Sequence, residues 1–213
     1  MKIVDLTMTI KSKSPVYPTY ISPVVHTWTS HREHGFYSNL LILNDHTLTH
    51  VDCPAHMIEN GATVDSLPLD RFMGLATAID LAYLKPRESI SRDLLLKELE
   101  KLGVESFKNM IILMRTGFDE KIGSSEWFNH PGLDKSAAKL LVEMNVKAVG
   151  VDAPSIDHEP YHAHKILLQN NVVIYENLTN LKEVVNKVFK FYGFPLKIYK
   201  GSGSPVRAVA IIE

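Results

Sequence analysis

Apolar positions along the chain change their spacing from segment to segment, and each spacing predicts an element. Lys2 to Ile10 reads as a strand with apolar residues on both faces. Lys11 to Pro23 carries Pro15, Pro18 and Pro23 and reads as an extended arm. Val24 to Thr29 and Tyr37 to Asn44 read as strands around a polar turn at Ser30 to Gly35, and the histidines in or near that turn (His26, His31, His34) as exposed. Glu59 to Gly61 is a turn, Val64 to Met73 a short helical piece, and Leu75 to Leu81 a strand. Ser91 caps a helix from Arg92 to Leu102, whose apolar stripe is Leu95, Leu99 and Leu102, with Gly103 as the stop. Met110 to Met114 is all apolar, as expected of a strand covered on both faces. A long loop then runs to Gly132, with Trp127 and Phe128 placed to line a pocket or to pin the loop.

The second half repeats the alternation of strand and helix. Asp134 caps a helix from Lys135 to Met144, and Lys147 to Val151 is the next buried strand, so strand, helix and strand make a parallel crossover. Tyr161 to Gln169 reads as helix and Val172 to Tyr175 as a buried strand that delivers Glu176 at its end. Leu181 to Phe189 has helical spacing. Phe194 to Tyr199 and Val206 to Ile212 read as strands joined by a hairpin turn at Gly201 to Ser204. The fold class is α/β, with a mixed sheet and flanking helices, and 213 residues suit a single domain over 1–213.

One stretch breaks the pattern of a plain strand. From Asn44 to Met57, His46, His50 and Asp52 fall on even positions, with β-branched Thr47, Thr49 and Val51 between them, and His56 follows Pro54. Imidazole and carboxylate ligands of this kind suit Zn²⁺ or Mn²⁺. In a regular strand, residues four apart lie roughly 13 Å from each other, whereas two ligands of one ion meet within about 2 Å of it. The chain must therefore bend near Leu48. Histidines at this spacing are also common surface decoration, and the stretch alone leaves both readings open.

The stretch His46-Thr-Leu-Thr49-His50-Val-Asp52-Cys-Pro54-Ala-His56 resembles the signature of the metal-dependent cyclase family, whose best-described members are bacterial kynurenine formamidases. One position departs, with Leu48 where the family has glycine. Asp5-Leu6-Thr7, Val16-Tyr17-Pro18, Arg115-Thr116-Gly117, Gly150 to Asp157, Ala163-His164 and Glu176-Asn177-Leu178 resemble further landmarks in family order. The resemblance implies a swivelling β/β/α-type fold. It implies one metal on His46, His50 and Asp52, and a second on Asp52, His164 and Glu176, giving two divalent ions per subunit, Zn²⁺ first and Mn²⁺ as the alternative. His56 matches the catalytic histidine and Tyr17 a residue against the substrate. By spacing alone His158 and His162 compete with His164.

The implied reaction is hydrolysis of N-formyl-kynurenine to kynurenine and formate, a step of tryptophan degradation. Two ions sharing a carboxylate lower the pKa of a water between them, and His56 is suited to move protons. Isatin hydrolase-like opening of another cyclic amide or lactone is the alternative within the family; a non-catalytic protein holding metal and a small ligand is the alternative outside it. Family members assemble as homodimers or homotetramers, and the arm from Lys11 to Pro23 is placed to reach a neighbour. Composition narrows the rest. A net charge of −1 gives no electrostatic reason to expect nucleic acid or anionic membrane as a partner, and 45% hydrophobic residues suffice for a core. The single Cys53 excludes an intrachain disulfide, no apolar run is long enough to span a bilayer, and the cytoplasm is the expected compartment. No glycine-rich dinucleotide fingerprint is present, which leaves nothing for hydride transfer.

Overall fold

The all-apolar runs of the sequence become the centre of a sheet. The computed structural model describes residues 1–213. Met73–Asp80, Ile111–Arg115, Ala148–Val151 and Val173–Glu176 lie side by side and parallel. Antiparallel strands extend this centre at both edges into nine strands, in the order 2–5, 209–212, 188–192, 73–80, 111–115, 148–151, 173–176, 50–52 and 203–205. Alternation along each strand divides the interior in two. Ile112, Met114, Val149, Val151 and Ile174 face one core, to which the helices Arg92–Glu100, Lys135–Glu143 and His162–Gln169 contribute Leu95, Leu99, Ala137, Leu141, Ala163 and Leu167. Ile111, Leu113, Ala148, Val173 and Tyr175 face the other, with Phe72, Leu181, Phe189, Phe191 and Ala210.

The helix caps sit where their side chains predict. The Ser91 hydroxyl accepts from the Leu94 amide at 3.4 Å, and the Asp134 carboxylate accepts from the Ser136 and Ala137 amides at 2.7 and 2.9 Å. The hairpin of Val24–Thr29 with Ser38–Ile42 stands apart as a two-stranded sheet, its turn holding the short helix His31–His34. His26, His31 and His34 are exposed. No helix is long and apolar enough to cross a membrane.

Several predicted elements differ. The first strand stops at Asp5, and the helical piece within 64–73 shrinks to a 3₁₀ turn at Leu69–Phe72. The helix expected over Leu181 to Phe189 is a 3₁₀ turn at Leu181–Glu183 followed by the strand Val188–Tyr192. Between them Asn186 turns the chain with φ 58°, and its amide donates to the Ala78 carbonyl at 2.8 Å. The expected strand over Phe194 to Tyr199 is irregular apart from one bridge between Pro195 and Val206. The glycine-rich link is no hairpin turn either: Gly203–Pro205 is an edge strand against His50–Asp52. Gly203 fits there because a Cβ would lie 2.7 Å from both His46 Cε1 and the Val51 carbonyl oxygen.

Candidate metal centre

Pairing places the polar residues of three segments on one face of the sheet. Glu176 lies opposite His50, and Ile174 opposite Asp52. Ile174 faces the helix-side core, so His50, Asp52 and Glu176 share that side, while Val51 and Tyr175 point into the opposite core. The helix His162–Gln169 packs on the same side and contributes His164. The bend required at Leu48 is present. Leu48 itself takes the left-handed conformation, with φ 51°, and the regular strand begins only at His50. The fold-back brings the His46 and His50 rings to 5.1 Å between centroids, far closer than an extended chain allows.

The hydrogen bonds fix which nitrogen of each ring faces the carboxylates. His50 Nδ1 donates to the Leu48 carbonyl at 2.6 Å, leaving Nε2 at 3.1 Å from Asp52 Oδ1 and 3.6 Å from Glu176 Oε2. His164 Nδ1 donates to Asp157 Oδ1 at 2.6 Å, leaving Nε2 at 3.2 Å from Glu176 Oε1 and 3.6 Å from Asp52 Oδ2. His46 Nδ1 is 2.7 Å from Asp52 Oδ1, and its Nε2 is 2.9 Å from the Ser202 hydroxyl. His46, Asp52 and His56 are grouped tightly enough to hold an ion, and so are His50, Asp52 and Glu176. His164 approaches the second group through the contacts just given.

Charge tests whether cations fit. Asp52 is fully buried, and its Oδ2 has no hydrogen-bond partner, an expensive arrangement for a carboxylate. Burial opposes ionisation of Asp52, yet the imidazoles of His50, His56 and His46 outweigh it and hold the carboxyl well below its usual range. Burial likewise disfavours a charged His50, but Asp52 and Glu176 outweigh it and lift the ring to about 9. His164 is also raised in spite of burial, by Asp157, Asp52 and Glu176. Two buried carboxylates therefore draw positive charge toward Nε2 of His50 and of His164. A divalent cation supplies the same charge to the same atoms and uses the lone pairs of neutral rings, so the donor set fits one. His56 behaves differently. Burial pushes it down to about 4, so its imidazole is neutral at physiological pH.

A cavity of about 320 Å³ opens onto this cluster and is bordered by His46, His50, His56, His164 and Glu176. Tyr17 lines it too, its hydroxyl 2.8 Å from that of Tyr161. Burial raises both Tyr17 and Tyr20 above the usual phenol range, so each stays protonated. Trp127 is buried, and Phe128 packs between it and Tyr17, so neither lines the cavity itself. His158 and His162 stay outside the cluster; His158 Nε2 donates to the His130 carbonyl at 2.8 Å. Two contributors carry no role in the sequence pattern. Tyr20 stacks on His46 at 5.6 Å and 11°, and nothing in a proline-rich arm marks it for that. Asp157 holds His164 by the ring and also accepts from the Ala163 amide at 2.7 Å. Its position just ahead of a helix carrying a candidate ligand is the signal that points to it.

Comparison with known proteins places these features in a wider set. Residues 4–158 match the family model described as "Putative cyclase". A kynurenine formamidase of Salinibacter ruber is 31% identical over 216 residues, covering 98% of this chain and 97% of that protein. Isatin hydrolase A from Ralstonia solanacearum superposes with a TM-score of 0.90 at 25% identity, over 100% of this chain and 92% of that one. A predicted metal-dependent hydrolase from Bacillus stearothermophilus superposes with a TM-score of 0.80 at 26% identity, over 98% and 97%.

Proposed function

Since the chain belongs to the cyclase family, we propose that it is a metal-dependent hydrolase of small amides, with N-formyl-kynurenine as the leading substrate. The observation that carries this reading is the convergence of four imidazoles with the carboxylates of Asp52 and Glu176, Asp52 Oδ2 being otherwise unpartnered. His46, His50 and Asp52 would hold one divalent ion, and Asp52, His164 and Glu176 a second, Zn²⁺ before Mn²⁺. When bound, such ions acidify water and polarise a carbonyl oxygen. The chain's own groups supply the rest. His56, neutral and bordering the cavity, accepts a proton from the attacking water and returns it to the leaving nitrogen. Tyr17 and Tyr161 give the cavity an aromatic side with hydroxyls, suited to an aryl amide.

Elemental analysis joined to a hydrolysis assay tests the reading. About two equivalents of metal per chain are expected, with release of formate from N-formyl-kynurenine. The His56→Ala variant is expected to keep the metal and lose turnover. Absence of metal after gentle purification overturns the proposal, and retained turnover in His56→Ala removes that residue from its role. Opening of a cyclic amide such as isatin is the second reading, favoured by the superposition on the Ralstonia enzyme. The same assay with isatin in place of the formamide separates the two.

Self-association belongs to the same proposal. In the structure Val16, Tyr17, Thr19 and Tyr20 of the proline-rich arm line this chain's own cavity. A further surface open to a second copy is the separate hairpin, which exposes Trp28, Phe36, Tyr37, Leu40, Leu41 and Ile42. A two-stranded sheet is marginally stable alone, and so much exposed apolar surface on it fits a second copy packed against it.

A further inference from the structure

Most non-glycine residues with positive φ in this chain are asparagines, which tolerate that conformation; Leu48 is the one aliphatic side chain among them. Its backbone has a clear purpose. The Leu48 carbonyl accepts from His50 Nδ1 at 2.6 Å and from Asn177 Nδ2 at 3.1 Å, which orients the ring toward Asp52. Glycine would supply that carbonyl without strain, so the backbone does not account for a leucine. The core does not account for it either. Leu48 is 2% exposed yet belongs to neither of the two hydrophobic cores; it sits among the site residues and borders the cavity beside His46 and His50.

We infer that Leu48 is a specificity-determining residue, its side chain forming the wall of the cavity at the reacting end and restricting the substrate to small acyl groups. This rests on the amide-hydrolase reading. Leu48 borders the cavity with His46 and His50, and Tyr17 also lines it, so the inferred pose has the carbonyl at the carboxylate and imidazole cluster, its acyl substituent next to Leu48 and its leaving amine toward Tyr17. A hydrogen on the carbonyl carbon fits such a wall, and each added methylene meets it. One methylene in an apolar pocket changes selectivity by roughly 10- to 200-fold, so a single side chain is enough to separate formyl from longer acyl groups.

The experiment compares wild type with Leu48→Gly, which keeps the left-handed conformation, and Leu48→Met, which restores a side chain of similar bulk. Two readouts are taken on metal-loaded protein: kcat/KM for formyl, acetyl and propionyl amides of one arylamine, and calorimetric Kd values for formo-, aceto- and propionohydroxamate. Wild type and Leu48→Met are expected to favour the shortest member of each series. Leu48→Gly is expected to lose at least about 10-fold of that preference in both. If Leu48→Gly fails to fold, Leu48→Ala takes its place in the same comparison. Parallel rankings in the wild type and the small-residue variant overturn the inference, as does failure of all hydroxamates to bind. A shifted hydroxamate ranking with every amide inert upholds the wall and overturns the amidase reading instead.

Discussion

Asp157 shows how much a residue that touches no reacting atom can decide. Its carboxylate accepts from Nδ1–H of His164 and from two amides at the start of the helix, which fixes the direction of the ring. If His164 holds a metal as proposed, a carboxylate hydrogen-bonded to that ring is expected to govern metal affinity by about 10- to 100-fold. Asp157→Asn keeps an acceptor for the helix amides and loses the charge behind the ring. A drop of that size in zinc affinity, measured by chelator competition, is expected with little change in melting temperature. The same scale shows what the sequence could reveal. That two imidazoles four residues apart must be folded together was legible from the span of a strand. That a leucine would accept the left-handed angle was not, because the compensation comes from His50 and from Asn177, 129 positions away.

Elements were legible where local spacing and long-range pairing agreed. The buried strands at 111–115, 148–151 and 173–176 and the helices after Ser91 and Asp134 needed only their own residues. Over Leu181 to Phe189 the two disagreed. Leu181, Val184, Val185, Val188 and Phe189 fit a helical stripe, while Phe189 and Phe191 fit a strand, and pairing with 73–80 and 209–212 favoured the strand. The edge strand 203–205 hid behind glycines that read as a turn. Gly203→Ala puts a methyl against His46 and the Val51 carbonyl, so a loss of about 1–3 kcal/mol in urea unfolding and weakened metal binding are expected together.

The loop from Gly117 to Gly132 gives a pH prediction of definite sign. His130 is buried, and burial depresses it from 6.5 to about 3, with His158 stacked on it at 4.2 Å. A depressed histidine is neutral in the fold and takes a proton only on unfolding. Its stabilisation is therefore complete above pH 6.5 and lost as pH falls toward 3, by up to about 1.4 kcal/mol per pH unit. Melting temperatures measured from pH 7 to 5 should fall, and His130→Gln should make that slope shallower.

On the scale of the whole molecule, the centre ties together the loop before His50, the central sheet and the helix 162–169. A ligand at 100 times its Kd stabilises a fold by about 2.7 kcal/mol, so adding zinc to chelator-treated protein should raise its melting temperature by several degrees. Unchanged melting would mean that nothing binds there. The proposed self-association is tested at the exposed hairpin. Trp28→Asp with Leu41→Asp should lower the mass in analytical ultracentrifugation to that of one chain; a single-chain mass for the unaltered protein would remove the interface. The alternation at 50–52 and 173–176 links folding to chemistry more tightly than any one residue. Sliding these two strands by a single position would turn Val51 and Tyr175 toward the cavity and drive Asp52 and Glu176 into oil. A mispaired chain therefore lacks the cluster, so the soluble fraction recovered from refolding is expected to match the untreated protein in zinc affinity.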